Sequence, residues 1–219
     1  MNLLKLDKPG STLLPAQPDR FYWLGMTRLR WRHFSGTPAL DLAAEHCRLI
    51  DLSLQALLKP SRVAVPGSTT RLPRYCWLAL GTYGSLELTP FSPFQLLLTG
   101  AVPDGEASQI MEATRSRMAD MGIHGETVRL STRECLSRSQ TDVGFCLALL
   151  SSRWVGGTAA VGSDLNHRLW STLLKRPGIF LCELERHYRQ MLEGGVSSIY
   201  ALKADLEEGP GGLWCCRAI

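Results

Sequence analysis

Hydrophobic and polar positions alternate in residues 125–133, where Val128, Leu130 and Thr132 interleave with Arg129, Ser131 and Arg133. Period two predicts a strand with one face in a core and one polar face. The apolar run GFCLALL at residues 144–150 follows, and a run of that length predicts a strand covered on both sides. SSR is a turn, and RWVGG opens a further extended run. Residues 125–165 therefore predict two or three adjacent antiparallel strands, with any pocket on their concave face.

The rest of the chain is read around that stretch. Residues 1–20, with Pro9, Gly10, Pro15 and Pro18, form an irregular arm. FYWLGMTRLRWRHF at residues 21–34 alternates from Met26 onward and predicts a strand. Thr37 and Pro38 open a helix over about residues 38–58, with Leu40, Leu42, Ala43, Cys47, Ile50, Leu54 and Leu57 at helical spacing. Residues 60–74 are a loop, Tyr75 to Leu80 a compact apolar segment, and Gly81 to Gly84 a turn. Ser92-Pro93 caps a helix running through FQLLL. Asp104 caps another that stops at Gly122. Ser163-Asp164 caps a helix to about Leu174. IFLCELERHYRQMLEGG is one helix, or a helix followed by a strand. SSIYALKADL and GGLWCCRAI are two closing strands.

Composition narrows the class. The chain has 219 residues, 45% apolar and 20% charged, enough to bury a core without staples. The net charge of +4 suits a small anionic substrate but is too dispersed for nucleic acid. No apolar run is long enough to span a bilayer and no signal peptide is evident, so the expected location is cytoplasmic. The seven cysteines include no CxxC and read as buried reduced thiols.

Candidate chemistry rests on arginines. The five histidines show no metal-ligand spacing. No nucleophile elbow or phosphate loop is present, and GGTAAVG has the wrong glycine spacing for a dinucleotide loop. No metal or cofactor is expected. Arg129, Arg133, Arg153 and Arg217 lie on or beside the expected sheet, where guanidinium groups can clamp carboxylates.

The order of pieces resembles the chorismate pyruvate-lyase family, whose fold is shared with the ligand-binding domain of GntR-type regulators. Arg133-Glu134 resembles an Arg-Glu pair on a family strand. Trp154-Val155-Gly156-Gly157-Thr158 with Ser163-Asp164-Leu165, and Pro177-Gly178-Ile179-Phe180-Leu181, resemble two further segments. The likeness covers about residues 90–219, and residues 1–90 would be an N-terminal extension packed on that domain. It implies an α+β fold, an antiparallel sheet with flanking helices enclosing a pocket. It also implies a cofactor-free lyase that removes pyruvate from chorismate, or acts on a related cyclic or aromatic acid, to leave a hydroxybenzoate. Gly144 stands where the family has a binding arginine, and Arg217 where it has a carboxylate. The implied catalytic residues are then Glu134 and Arg133, with Glu183 or Glu185 as other acids, and the substrate-binding ones Arg153, Arg217 and Gly178. Two alternatives stay open. One is a non-catalytic binding protein on the same fold, holding a small anionic or aromatic ligand or a carrier-bound partner. The other is an unrelated fold with an interaction role for the basic, aromatic N-terminal third, the region open to a carrier or partner protein. Residues 1–90 show no winged helix-turn-helix.

Overall fold

A computed structural model describes residues 17–57, 74–90 and 92–194. The irregular arm up to residue 16, the loop at 58–73, both closing strands, Cys215-Cys216 and Arg217 lie outside the described residues. The described chain is α+β, with eight helices and one open four-stranded mixed sheet in the order β3-β2-β1-β4.

The sheet is built from two apolar runs. β1 (Tyr75–Leu80) and β2 (Phe94–Gly100) pair antiparallel, Tyr75 opposite Gly100 and Leu80 opposite Gln95. Both are nearly continuous in apolar residues, the pattern of strands buried on both faces. Period two divides them. Trp77, Ala79, Leu96 and Leu98 join one core, while Cys76, Leu78, Leu80 and Leu97 join the other. Complete burial of each such large side chain stabilises by about 1.5–3 kcal/mol. The FQLLL segment is thus a strand, where a helix was expected.

β3 (Gly125–Arg129) lies parallel to β2 on one edge, and β4 (Arg153–Gly157) antiparallel to β1 on the other. This corrects the expected sheet. β3 and β4 are separated by β2 and β1, and the parallel pair makes the sheet mixed. The strand expected in GETVRLSTREC ends at Arg129. Ser131 then caps α5 (Thr132–Arg138), accepting from the Glu134 amide while Glu134 bonds back to the Ser131 amide. This S-x-x-E capping box overrides the alternation beyond residue 130. GFCLALL is α6 (Val143–Leu150), not a strand. The Asp142 side chain caps it at the Phe145 amide, and Phe145, Cys146 and Leu149 are buried at helical spacing.

One face of the sheet carries α1 (Pro18–Phe34), α2 (Ala39–Leu57) and α4 (Asp104–Asp120). α1 replaces the strand expected from residue 26. Tyr22 and Leu29 are buried and Met26 packs beside them, an i, i+4, i+7 set that decides for a helix. α2 matches the expected helix closely. α4 begins at Asp104 with Pro103 at the capping position, and Gly122 follows its end. The other face carries α5, α6, α7 (Ala159–Lys175) and α8 (Pro177–Gly194). α7 starts before Ser163-Asp164, so those residues lie inside the helix, where Asp164 pairs with Arg168 at 2.8 Å. α8 is one helix. The expected turn at 81–84 is a single helical turn, α3 (Gly81–Gly84), entered through Gly81 at φ +57.

His46 links α1 and α2 to the segment after α3. Its Nδ1 lies 3.3 Å from the Leu88 carbonyl and its Nε2 3.5 Å from the Tyr22 hydroxyl. Nδ1–H donating to the carbonyl leaves Nε2 to accept from Tyr22. Burial, only partly offset by that carbonyl, holds the imidazole below its ordinary value. The unfolded chain binds a proton near pH 6.5, whereas folded His46 resists it. Its contribution is complete above about pH 6.5 and declines as pH falls below that value. Urea midpoints measured from pH 7.5 to 5.5 should show this decline, and His46→Gln should flatten it. Parallel slopes in the two proteins would remove His46 as the cause.

Candidate functional site

Among the described residues, clefts lie at both ends of the sheet. One, of about 200 Å³, is lined by Leu80, Gly81, Thr82, Pro93, Phe94, Gln95 and Glu126. It therefore sits where β1 ends and where β2 and β3 begin. Strand pairing places Gln95 beside Glu126, and the Gln95 amide donates to the Glu126 carboxylate at 3.3 Å. The Phe94 ring is buried and packs against Tyr83, with centroids 4.8 Å apart. The other cleft, of about 480 Å³, is lined by Arg74, Gly100, Ala101, Thr132, Thr158, Ala160, Val161 and Asp164.

The wall of the first cleft is held from behind by a buried polar cluster. Tyr83, fully buried in α3, donates its hydroxyl to Asp51 Oδ1 at 2.6 Å. Arg153 of β4 grips both carboxylate oxygens of Asp51, its Nη1 on Oδ2 and its Nη2 on Oδ1. The same Nη2 donates to the Tyr83 carbonyl at 3.2 Å, and the guanidinium lies 5.3 Å from the Tyr83 ring centroid. Asp51 comes from the inner face of α2, one turn after Cys47. Three elements thus meet on one carboxylate. Burial raises the Asp51 carboxyl above its usual value, against the pull of Arg153 and Tyr83. Burial, then the Asp51 charge, pushes the Tyr83 phenol well up. Arg153 Nε is buried with no hydrogen-bond partner among the described residues. Adding a side chain at Gly84 would place a carbon 2.5 Å from the Ser151 carbonyl oxygen, so α3 sits against the end of α6 with no room to spare.

The residues singled out in the sequence are scattered. Arg133 is exposed on α5. Glu134 is spent on the capping box, and the Ser131 backbone amide holds its carboxyl below the usual range. Arg153 is committed to Asp51. Gly178, at the start of α8, is exposed with open space around it. Glu183 and Glu185 pair with Arg186 and Arg189 on α8, and Arg129 pairs with Asp104 at 2.6 Å. No hydrogen bond or ion pair joins any two of Arg133, Glu134 and Arg153. Asp51, Tyr83, Gln95 and Glu126 were not singled out. The one signal was an acid inside the apolar run RLIDLSL. Among the described residues no group of three His, Cys, Asp or Glu could hold a metal. No described helix is long and apolar enough to cross a membrane. Cys47, Cys76, Cys135 and Cys146 are buried free thiols, and Cys182 is exposed.

Comparison with known proteins overturns the chorismate-lyase resemblance. No protein-family profile matches the chain. It is similar to proteins named bifunctional uridylyltransferase/uridylyl-removing enzyme. With that of Bordetella avium it shares 30% identity over 189 residues, covering 81% of this chain and 20% of the relative. With that of Cereibacter sphaeroides the values are 29% over 148 residues, 66% and 16%. With that of Nitrosospira multiformis they are 28% over 213 residues, 89% and 22%. The chain thus spans about a fifth of the length of these curated relatives. Chorismate, pyruvate elimination, 4-hydroxybenzoate and aromatic-acid biosynthesis are withdrawn with the lyase reading, and so is the small-ligand binder on that same fold. The short matches at Arg133-Glu134, 154–158 and 177–181 fall in a capping box, a strand edge and a helix start, motifs that many folds share.

Arg153→Met should destabilise the protein by about 3–5 kcal/mol, because Asp51 is left as an uncompensated buried charge. Asp51→Leu combined with Arg153→Met should cost less than the single change. Urea denaturation of the parent, single and double proteins checks this, and a double variant no more stable than Arg153→Met would contradict it.

Proposed function

We propose that the chain is a nucleotide-handling module related to the uridylyltransferases, and that the cleft at Leu80–Thr82, Pro93–Gln95 and Glu126 receives a uridine nucleotide. The observation that carries this reading is the likeness to those enzymes across most of the chain, joined to the cleft at the sheet end that the Asp51 cluster backs. Gly81 and Thr82 bring backbone close to the cleft, Phe94 gives it an apolar wall, and the Gln95 amide supplies a neutral donor and acceptor for a base or ribose. A cytoplasmic setting belongs to the same reading.

Uridylyl transfer is a phosphoryl-type displacement. It depends on positioning and on divalent ions, held by carboxylates, that neutralise the charge developing on the phosphate oxygens. Among the side chains lining this cleft, Glu126 is the one carboxylate. A lone carboxylate tied to Gln95 is a poor divalent site. The described residues therefore favour holding the nucleotide over transferring its uridylyl group.

Thermal unfolding with UTP tests the reading. At a hundredfold excess over Kd, UTP should stabilise by about 2.7 kcal/mol, raising Tm by ~5–10 °C for a chain of this size. Thr82→Trp, which fills the cleft, should abolish the shift. No shift with UTP, or one that survives Thr82→Trp, would reject the site. Affinity should differ by less than about threefold between magnesium and EDTA. A loss of more than tenfold in EDTA, about 1.4 kcal/mol, would show a metal-dependent site and argue for transfer.

A further inference from the structure

The cleft at Leu80–Thr82, Pro93–Gln95 and Glu126 has room for only part of a nucleotide. Its volume of about 200 Å³ lies below the roughly 300–1,000 Å³ of pockets that enclose a whole ligand. One end of the nucleotide therefore enters and the other stays in solvent. Charge decides which end. Among the described residues lining the cleft there is no lysine, arginine or histidine, and Glu126 is the one ionisable side chain. No ion pair joins Glu126 to another described residue. A polyphosphate placed beside it meets like charge with no cation to offset the repulsion. The nucleoside end carries no charge.

Strand pairing sets what the nucleoside meets. Leu80 stands opposite Gln95, and Gln95 beside Glu126, so the ends of β1, β2 and β3 put three side chains in one row. Directly paired residues share a face of the sheet, and all three line the cleft. The Gln95 amide nitrogen donates to Glu126 Oε2 at 3.3 Å. This turns the Gln95 carbonyl oxygen away from the acid. An ionised carboxylate accepts about four hydrogen bonds, so Glu126 keeps acceptor capacity for a ligand. The parts of a uridine differ in what they offer it. The uracil edge has one N–H between two carbonyl oxygens, which an amide meets well and a carboxylate meets poorly. The ribose has two neighbouring hydroxyls, and both donate. Dinucleotide-binding folds use the same chemistry, an acidic side chain accepting from a ribose hydroxyl.

We infer that the nucleotide enters nucleoside-first and that Glu126 selects ribose by accepting from its 2′ and 3′ hydroxyls, with Gln95 at the uracil edge. This deepens the nucleotide reading given above and rests on it. The phosphates point out of the cleft, so their number has little effect on affinity.

Calorimetric titration of the purified chain in EDTA with UTP, uridine and 2′-deoxy-UTP tests this. UTP and uridine should bind within about threefold of each other. 2′-Deoxy-UTP should bind about tenfold more weakly than UTP, through loss of one hydrogen bond to a charged acceptor. Glu126→Ala should bring UTP and 2′-deoxy-UTP within about twofold. Glu126→Gln separates the two orientations by sign. It should weaken UTP about fivefold, whereas a polyphosphate beside Glu126 would bind more tightly once the charge is gone. Both variants should keep the unliganded Tm, because Glu126 is exposed. Three outcomes would overturn this inference while leaving the nucleotide reading in place, provided Thr82→Trp still abolishes UTP binding. They are equal affinity for UTP and 2′-deoxy-UTP, tighter UTP binding by Glu126→Gln, and uridine more than tenfold weaker than UTP. Binding of none of the three ligands would reject both.

Discussion

Asp51 is a carboxylate in a nearly dry place, and much of the molecule is arranged around that fact. Burying an ionised acid costs several kcal/mol unless its lone pairs are met. Arg153 and Tyr83 meet them from β4 and α3, while α2 supplies the acid. Replacing any partner leaves the others unsatisfied, so the three elements hold a fixed relation that apolar packing alone would leave looser. α3 is only one turn long and could not hold its own position. It borrows rigidity from the pair behind it and passes that rigidity to Gly81 and Thr82 at the cleft.

The sheet sets where the cleft can be. β1 and β2 are covered on both faces, so their side chains are consumed by the two cores. Only the strand ends and the turns beyond them remain free to touch a ligand. At one end the strand ends offer Gln95 and Glu126, and at the other Arg74 stands before β1 with Asp164 of α7 beside it. The first is the end stiffened by the Asp51 cluster.

How far the sequence was legible follows from which signals were local. α2 and α4 were readable because each carries helical spacing and an identifiable start, and the α+β class followed from mixed periodicities. The strands were harder. GFCLALL and FQLLL are both short apolar runs, and periodicity cannot separate a buried strand from a buried helix. Each was preceded by a candidate cap, Asp142 before one and Ser92 before the other, but only Asp142 accepts from a helix amide, while the Ser92 hydroxyl bonds Thr89. Ser131-x-x-Glu134 was equally visible, yet alternation was given more weight than the capping box. In α1, residues 26–34 alternate and also satisfy a helical spacing from Tyr22. Only contact with α2 decides between them. The cleft was illegible for a different reason. Gln95 and Glu126 become neighbours through strand pairing, and Arg153 finds Asp51 from 102 positions away. Arginine type suggested an anion clamp, and the carboxylate it clamps proved to be the protein's own.

That long separation also orders events in time. The α1–α2 hairpin and the β1–β2 pair join segments close in the chain, so their closure entropy is small. β4 must instead travel back to the far side of β1, and only its arrival brings Arg153 to Asp51. Until then α2 carries an acid on a surface meant to be apolar, which water must keep solvated. The helix pair and the central strands can assemble early, but the core beneath them cannot dry out. Closure of the sheet edge and desolvation of α2 are therefore one event, and the half of the protein that is made first stays provisional until the later half completes it.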